Sequence, residues 1–408
     1  MSKNKIKDFV QKYTMVLILL LVLAFFAVRT DGKILMPQNI TNIISQNAYV
    51  FVLAAGMLLC ILTGGNIDLS VGSVVCFVGA LGAVWLSKGL NMWLVVILML
   101  LLGLAIGAWQ AFWIAFVHVP PFITTLAGMF VFRGLSNVVL QGKTLPVTNE
   151  AFVRIFGGGA NCYVPDFFGG QGINILCLVI GGLAAVVFLA GTFAGRAGRV
   201  KKGYTVEPML ETVLKAVIIS FVIAFFAVKL SQYKGLPMAL IWVALVIGIY
   251  TYITSKTTIG RHLYAVGGNE LATKLSGINT NKVYFFAYTN MGLLSAFVGM
   301  LTIARMTSAQ PTYGQNYEMD AIGSRLLHRR RVGLRRHGHG ARRHSGRGAH
   351  GRHKHRHEHH GRGRELSEGR QGPRAACRRH IRRRLQARKD LISHPHHPER
   401  RNLCTISA

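Results

Sequence analysis

Residues 92–117 read MWLVVILMLLLGLAIGAWQAFWIAFV, an apolar stretch without a single Asp, Glu, Lys or Arg. At about 1.5 Å of rise per residue, a helix of this length crosses the roughly 30 Å hydrocarbon core of a bilayer. The helices of a soluble protein are rarely apolar on every face over such a length. The stretch therefore predicts a transmembrane helix.

Comparable apolar runs recur through the first 324 residues. Several are short or contain Gly and Pro, which spans tolerate where neighbouring helices satisfy the backbone and pack closely. We predict an all-α fold, a polytopic transmembrane helical bundle with about nine spans before residue 324. The predicted spans are 14–28, 48–63, 70–86, 92–117, 122–140, 173–190, 213–230, 237–253 and 283–306.

The composition changes near Ser324. Residues 325–408 hold 25 of the 47 Lys and Arg residues and 14 of the 16 His residues, but only five of the 15 acidic residues. The net charge of +32 therefore averages two unlike segments. We predict that residues 1–324 form a transmembrane domain that is incomplete at its C-terminal end. We predict a disordered Arg/His-rich basic tail for residues 325–408.

Two hypotheses stay open for the tail: a basic arm that binds nucleic acid, metal or an anionic surface, and a reading-frame slip. Read one base later, His (CAY) yields Ile, Met or Thr, and Arg (CGN) yields Gly, Ala, Val, Asp or Glu. Residues 350–361, HGRHKHRHEHHG, are then reread with permitted codons as MGVINIGMSIMG, which is apolar membrane sequence. We favour the slip and predict no nucleic-acid partner.

The charges of the loops indicate the orientation. Lysines precede the first run, which lacks a clear cleavage site and is predicted to be an uncleaved span. With a cytoplasmic N-terminus, alternate counting places the basic loops 196–212 and 254–282 in the cytoplasm, while the outer loops carry few basic residues. This parity satisfies the positive-inside rule, so we predict a multi-pass protein with a cytoplasmic N-terminus.

Residues 63–74, TGGNIDLSVGSV, place polar groups between two predicted spans. Asp68 is expected either to cap the helix that begins near Leu69, by accepting its free backbone amides, or to take part directly in translocation. No base, nucleophile or metal partner is near in sequence, and the six cysteines lack metal-ligand spacing, so we predict no catalytic and no metal site.

Residues 119–135, VPPFITTLAGMFVFRGL, begin a span with prolines, which suit a helix start because the missing amide would have no partner there. Thr124 and Thr125 are expected to bond back to their own helix. Arg133 falls inside this span and is expected to snorkel or to pair with an acid.

Residues 258–283, TIGRHLYAVGGNELATKLSGINTNKV, form a long polar loop on the predicted cytoplasmic side. Gly267, Gly268 and Asn269 predict a turn, and residues 270–275 predict a short helix that ends at 276–277. A short helix between two glycine breaks is either an ordinary loop helix or a docking element.

Taken together, these three stretches resemble, in order and spacing, the membrane permease subunit of bacterial ABC importers for monosaccharides. The insert around 196–212 is most similar to the xylose and multiple-sugar branch, and the resemblance covers residues 10–324. The family continues beyond the position of Ser324 with a Gly-rich re-entrant stretch and further spans, which the tail replaces here.

The resemblance implies an inner-membrane complex of two permease subunits, expected to be a homodimer, two cytoplasmic ATPases and a periplasmic sugar-binding protein. ATP is expected on the ATPase, because this chain has no G-x-x-x-x-G-K-S/T loop; the chain is expected to bind no cofactor and to be no enzyme. The ATPase-docking loop implied by the family comprises Gly268, Asn269, Glu270, Leu271, Ala272, Leu275, Ser276 and Gly277.

A sugar is polar and uncharged, so its path requires amide and hydroxyl groups. Each such group is otherwise an ordinary bond between helices, and both readings stay open. Our candidates for the pathway or for helix breaks are Gln46, Asn47, Gly64, Gly65, Asn66, Asp68, Ser70, Ser73 and Asn290. The alternative function is an ATP-independent secondary transporter or channel, although such proteins often place charges within spans and this chain has few.

The nucleotide sequence across codons 315–330 tests the frame hypothesis. We expect a shifted downstream frame that stays open and continues as apolar, Gly-rich membrane sequence, because the His and Arg codons of the tail allow it. Stop codons in every shifted frame would reject the slip and favour the basic arm.

Overall fold

The computed structural model describes residues 14, 18, 19 and 21–323, except 158–161, 171, 204, 205, 207 and 208. The predictions for the tail, residues 325–408, lie outside the described residues. The first predicted span, 14–28, is described only in part, and its described residues are helical.

The described residues form a helical bundle with one short two-stranded sheet. A 3-10 turn, Lys33–Leu35, precedes the first helix of the series, and residues 317–323 are helical. The helices are α1 (Pro37–Gln46), α2 (Ala48–Leu62), α3 (Val71–Ser87), α4 (Met92–Ala115), α5 (Pro121–Leu140), α6 (Glu150–Phe156), α7 (Ile175–Lys201), α8 (Met209–Ser231), α9 (Met238–Lys256), α10 (Thr258–Gly268), α11 (Glu270–Leu275) and α12 (Thr280–Met306); the strands are β1 (Leu145–Pro146) and β2 (Ser308–Ala309).

Seven helical segments in the described range are long and apolar enough to cross a membrane, which confirms the polytopic helical bundle. The sequence predicts nine runs. The difference arises because α3, with 17 residues, is shorter than a full span, and because the run at 14–28 is only partly described. One span, Pro37–Leu62, begins well before its predicted start at residue 48. The sequence did not reveal this, because polar residues alternate with the apolar residues of α1 and interrupt the apolar run.

Helix α12 lies at the centre of the bundle, where it packs against α4, α3 and α2. Its apolar stretch is 72% buried. The closest approach is to α4. A Cβ atom on Gly292 would collide with the carbonyl oxygen of Gly103 and would lie 2.6 Å from Cα of Gly107. Small residues four apart let two backbones touch in a membrane, where van der Waals contact, rather than apolar burial, holds helices together.

Helices α7 and α8 form a peripheral hairpin. They pack on each other, and α8 also contacts α1. Only 6% of the apolar stretch of α7 is buried. Their exposed Leu, Val, Ile and Phe side chains suit contact with lipid. The predicted insert at 196–212 is the connection of this hairpin, and α7 continues into it as far as Lys201.

After α12 the chain reverses direction. Strand β2 pairs antiparallel with β1, and the chain then runs back along α3. The Sγ atom of Cys76 lies 3.4 Å from the carbonyl oxygens of Gln310 and Pro311. Further towards the start of α3, Gly72 and Gly314 approach so closely that neither has room for a Cβ atom. We call residues 307–323 the return segment.

The central contact predicts a sharp asymmetry between two glycines. Gly292→Ala should lower the free energy of unfolding by about 1 to 3 kcal/mol, because the backbone of α4 cannot yield to the added methyl group. Gly191→Ala on α7 is the matched control, since its Cβ atom would meet nothing within 4 Å and Ala is the better helix former. Thermal unfolding in detergent should show a lower Tm for the first variant alone; equal Tm values would contradict the packing argument.

Candidate functional site

A buried polar cluster lies where the chain enters α3. Oδ1 of Asp68 accepts hydrogen bonds from the backbone N of Ser70 at 2.9 Å and from its Oγ at 2.7 Å. The Oγ of Ser70 also lies 3.0 Å from Oε1 of Gln110 on α4. All three side chains are buried. The expected bond from a backbone amide to Asp68 is present, but the helix begins at Val71, two residues later than predicted, because Ser70 occupies the N-cap position.

Two polar atoms at this cluster lack partners. Among the described residues, neither Nε2 of Gln110 nor Oγ of Ser73 has a hydrogen-bond partner, although both are buried. A Cβ atom on Gly128 of α5 would collide with the Gln110 amide, so this glycine lets α5 approach the cluster. Unpaired buried donors and acceptors are costly, and such groups mark places where a polar molecule finds a partner.

Arg133 ties the return segment to α5. Its Nη1 donates to the carbonyl oxygens of Pro311 at 3.1 Å and Tyr313 at 2.7 Å. Arg133 was expected to snorkel or to pair with an acid. Its hydrogen bonds go instead to two backbone carbonyls of the return segment. Glu318 follows in the same segment, and its Oε2 would lie 2.5 Å from a Cβ atom on Gly72, close to the N-terminus of α3.

The predicted turn at residues 267–269 is wrong. Helix α10 continues through Gly268, and only Asn269 is extended. Gly267 is needed for close packing, because a Cβ atom there would collide with the carbonyl oxygen of Leu62. The φ angle of Gly268 is not positive. Gly277 adopts φ +85° just after the short helix of residues 270–275.

The predicted short helix is present as α11. The side chain of Asn269 caps it by accepting from the backbone N of Ala272 at 3.0 Å, and the hydroxyl of Ser276 donates to the carbonyl of Thr273 near its end. Leu271 and Leu275 lie one helical turn apart and are 68% and 81% exposed. Two exposed leucines thus lie on the short helix of this loop.

Tyr284 connects α11 to the entrance of α3. Its hydroxyl lies 3.0 Å from Oε2 of Glu270 and 3.1 Å from the carbonyl oxygen of Thr63. The single phenolic proton serves one of these acceptors at a time. Thr63 begins the loop that carries Asp68, so the Tyr284 hydroxyl joins the exposed helix α11 to this loop. Gly64 and Gly65, which follow Thr63, have φ values of +111° and +90°.

The remaining candidates serve different purposes. Asn66 donates to the carbonyl of Thr63 at 3.1 Å, and Asn47 donates to the carbonyl of Ile43 at 2.8 Å, so both satisfy their own turns. Asn290 accepts from the hydroxyl of Tyr250 at 3.0 Å and thereby joins α12 to α9. Gln46 lies in the wall of a separate cavity.

The structure thus brings Asp68 and Ser70 together with Gln110, which the sequence reasoning missed. A signal for it existed, since Gln110 is the one amide side chain in the run at 92–117. Within the described part of the chain, no three His, Cys, Asp or Glu side chains lie close enough to share a metal ion.

The family model of the branched-chain amino acid transport system / permease component matches residues 39–328. The chain belongs to this permease family. A xylose transport system permease protein of Haemophilus influenzae is 33% identical over 321 residues, which cover 78% of this chain and 81% of the relative. Its counterpart from Escherichia coli is 31% identical over 320 residues, covering 78% of each chain.

A ribose import permease protein of Haemophilus influenzae is 32% identical over 287 residues, covering 70% of this chain and 67% of the relative. No solved structure matches the chain significantly. These relatives confirm the resemblance drawn from the three sequence motifs. The family match also ends at residue 328, close to the change of composition at Ser324.

The Tyr284 link predicts a local effect on α11. Tyr284→Phe should cost about 1 kcal/mol of local stability, because Glu270 and Thr63 lose their shared donor. Hydrogen exchange of the amides in residues 272–277 should then be roughly fivefold faster. Tyr264→Phe is the control, since this tyrosine on α10 is exposed. Unchanged exchange in Tyr284→Phe would show that the link does not hold α11.

Proposed function

We propose that this chain is the permease subunit of an ABC importer and forms the path of a xylose-type monosaccharide across the bacterial inner membrane. The observation that carries the proposal is α11. It offers two exposed leucines and is joined through Tyr284 to the loop that carries the buried Asp68. The likeness to xylose and ribose permease proteins supports the same function.

Helix α11 has the form of a docking element. Leucines at positions i and i+4 are the usual anchors of a short helix that lies in a groove of a partner. Left in water they contribute nothing to folding, whereas burial of each is worth about 1.5 to 3 kcal/mol. The partner that we propose is a cytoplasmic ATPase, which would bind ATP, while this chain itself binds no cofactor.

The proposed complex also contains a second copy of this permease and a periplasmic sugar-binding protein. Arg261 precedes the docking helix and Lys274 lies within it. These basic residues support a cytoplasmic location for the helix, and hence a cytoplasmic N-terminus. The sugar-binding protein would then approach the opposite end of the bundle.

The proposed mechanism is alternating access driven by the docked helix. Closure of the ATPase pair would displace α11, and the Tyr284 hydroxyl would pass the movement to Thr63. Gly64 and Gly65 form a pliable joint because they lie at positive φ and Gly64 has free space around it. The next rigid group, Asp68 with Ser70, would then shift against Gln110 and change the packing of α3 on α4.

An uncharged polar substrate suits the polar groups found inside the bundle. The unpartnered atoms of Gln110 and Ser73 are neutral, so they offer hydrogen bonds to hydroxyl groups without favouring either sign of charge. Neutral partners of this kind fit the sugars named for the relatives.

A double substitution tests the docking face. Leu271→Asp with Leu275→Asp should reduce recovery of the ATPase with the purified permease at least tenfold and abolish xylose uptake, because both anchors become charged. Phe167→Asp is the matched control, since this side chain is 78% exposed in a loop far from α11 in sequence. The control should retain both ATPase recovery and uptake.

Equal ATPase recovery by the double variant and the control would contradict the assignment of α11. Xylose uptake by proteoliposomes that contain this chain without any ATPase would instead favour a secondary transporter or channel.

A further inference from the structure

The hairpin of α7 and α8 turns an almost wholly apolar surface outward. Only 6% of the apolar stretch of α7 and 17% of that of α8 are buried. Leu183 and Val187 on α7 and Phe221 on α8 are 62% to 70% exposed. In a bilayer such a surface lies against lipid acyl chains, so the residues at its ends lie beside lipid headgroups.

The length of α7 places its last turns outside the hydrocarbon core. The helix has 27 residues and is therefore about 40 Å long, whereas the core is roughly 30 Å thick. Its apolar part, residues 175–195, spans about 31 Å and matches the core by itself. The end of the helix from Arg196 onward therefore lies at the level of the headgroups.

This end of α7 is strongly basic. Arg196, Arg199, Lys201 and Lys202 fall within seven residues, and we call these four residues the basic cluster. Arg199, Lys201 and Lys202 are exposed. Nη1 of Arg196 donates to Oγ1 of Thr212 at 2.8 Å and thereby ties the cluster to the start of α8.

The acidic residues nearby do not neutralise the cluster. Residues 196–215 contain five basic and two acidic residues, a surplus of three positive charges. One of the two acids, Glu211, lies 3.8 Å from Nζ of Lys215 and so faces a base outside the cluster. The opposite end of the hairpin, residues 161–174 and 229–236, has two basic residues and one acid. Positive charge is thus concentrated at one end.

The side of α7 that leads to the cluster has little relief. Gly191, Gly195 and Gly198 lie on one side of the helix, and a Cβ atom on any of them would meet nothing within 4 Å. Lys202 continues the same side. We call the three glycines the glycine strip. A straight acyl chain can lie against the helix backbone along this strip, directly below the positive charges.

Charge favours a lipid over a second copy of this chain as the occupant. Glycine strips also let two membrane helices pack closely. A symmetric pair of copies in one membrane would, however, bring two basic clusters together at the same side, where like charges repel. An anionic phospholipid instead supplies a phosphate for the N–H donors of Arg and Lys and an apolar chain for the strip.

We propose that this face of α7 binds an anionic phospholipid of the membrane. Its headgroup phosphate contacts Arg199, Lys201 and Lys202, and one acyl chain lies along the glycine strip. Arg196 is a positioning residue, because it holds the cluster beside α8 through Thr212. The charge of the cluster carries the inference, which does not depend on the identity of the transported substrate.

Photocrosslinking of the full-length chain in phosphatidylcholine nanodiscs tests the site. Trace phosphatidylglycerol or phosphatidylcholine with a diazirine in one acyl chain is the probe, and mass spectrometry maps the labelled residues. Mapping by residue separates this site from any attraction to the basic residues 325–408. The readout is the ratio of phosphatidylglycerol to phosphatidylcholine labelling at residues 183–200.

The reference is the same ratio at residues 104–116 of α4. This face is also exposed and apolar, but no Lys or Arg follows it before Arg133. We expect the ratio on α7 to be at least fivefold higher than that on α4, because only α7 ends in a basic cluster.

A triple variant removes the exposed charges of the cluster. Arg199→Gln, Lys201→Gln and Lys202→Gln together should lower the ratio on α7 to that on α4. The ratio compares two lipids on one face, so a changed exposure of the hairpin affects both labels alike. Arg199→Lys keeps the charge and should retain the ratio within twofold.

The matched control removes equal charge elsewhere. Lys143→Gln, Lys229→Gln and Lys234→Gln together also delete three positive charges, two of them at the opposite end of the hairpin. This variant should keep the ratio of the parent chain.

Several outcomes would overturn the site. Equal ratios on α7 and α4 in the parent chain, a ratio that survives in the cluster variant, or an equal fall in the control would each exclude a lipid held by the cluster. Loss of the ratio on addition of inorganic phosphate would assign the cluster to a free anion. Reduced recovery of the ATPase with the cluster variant, at an unchanged ratio, would assign it to a protein contact.

Discussion

The structure depends on the contact between α4 and α12, where Gly292 meets the backbone at Gly103 and Gly107 without any intervening side chain. In a bilayer, lipid tails compete equally well for apolar side chains, so helices are held by close backbone contact. Two glycines on α4 and one on α12 make the approach possible. Helix α12 can then serve as the axis on which α2 and α3 also pack.

Different chemical groups lie at the two ends of α12. At its first turns, Tyr284 reaches Glu270 on the exposed helix α11 and the carbonyl oxygen of Thr63. Thr63 begins the loop that contains Gly64, Gly65 and Asp68, which we call the glycine loop. At its last turns, Thr302 and Arg305 face a cavity with aromatic walls. In the proposed mechanism the movement passes from α11 through Tyr284 to Thr63, and the glycine loop supplies the local freedom that a tightly packed bundle lacks.

The local patterns in the sequence were good guides to local structure. The apolar runs predicted most spans, and Asn269 with residues 270–275 predicted the short helix that is observed. The failures concern contacts between distant residues. Gly267 was assigned to a turn, although it is small because Leu62 lies against it. Arg133 was expected to snorkel or to pair with an acid, yet it donates hydrogen bonds to carbonyls of a segment that no local pattern places beside α5.

The sequence by itself determined that the chain is a multi-span membrane protein with a polar, helix-containing loop, because apolar length, loop charge and helix capping are properties of neighbouring residues. Only the tertiary structure decided that Gln110 joins Ser70, that Tyr284 joins α11 to the glycine loop, and that Ser45 and Thr302 border one cavity. The physical reason is that these groups are 14 to 257 positions apart and meet only when the helices pack at the distances that glycine contacts allow.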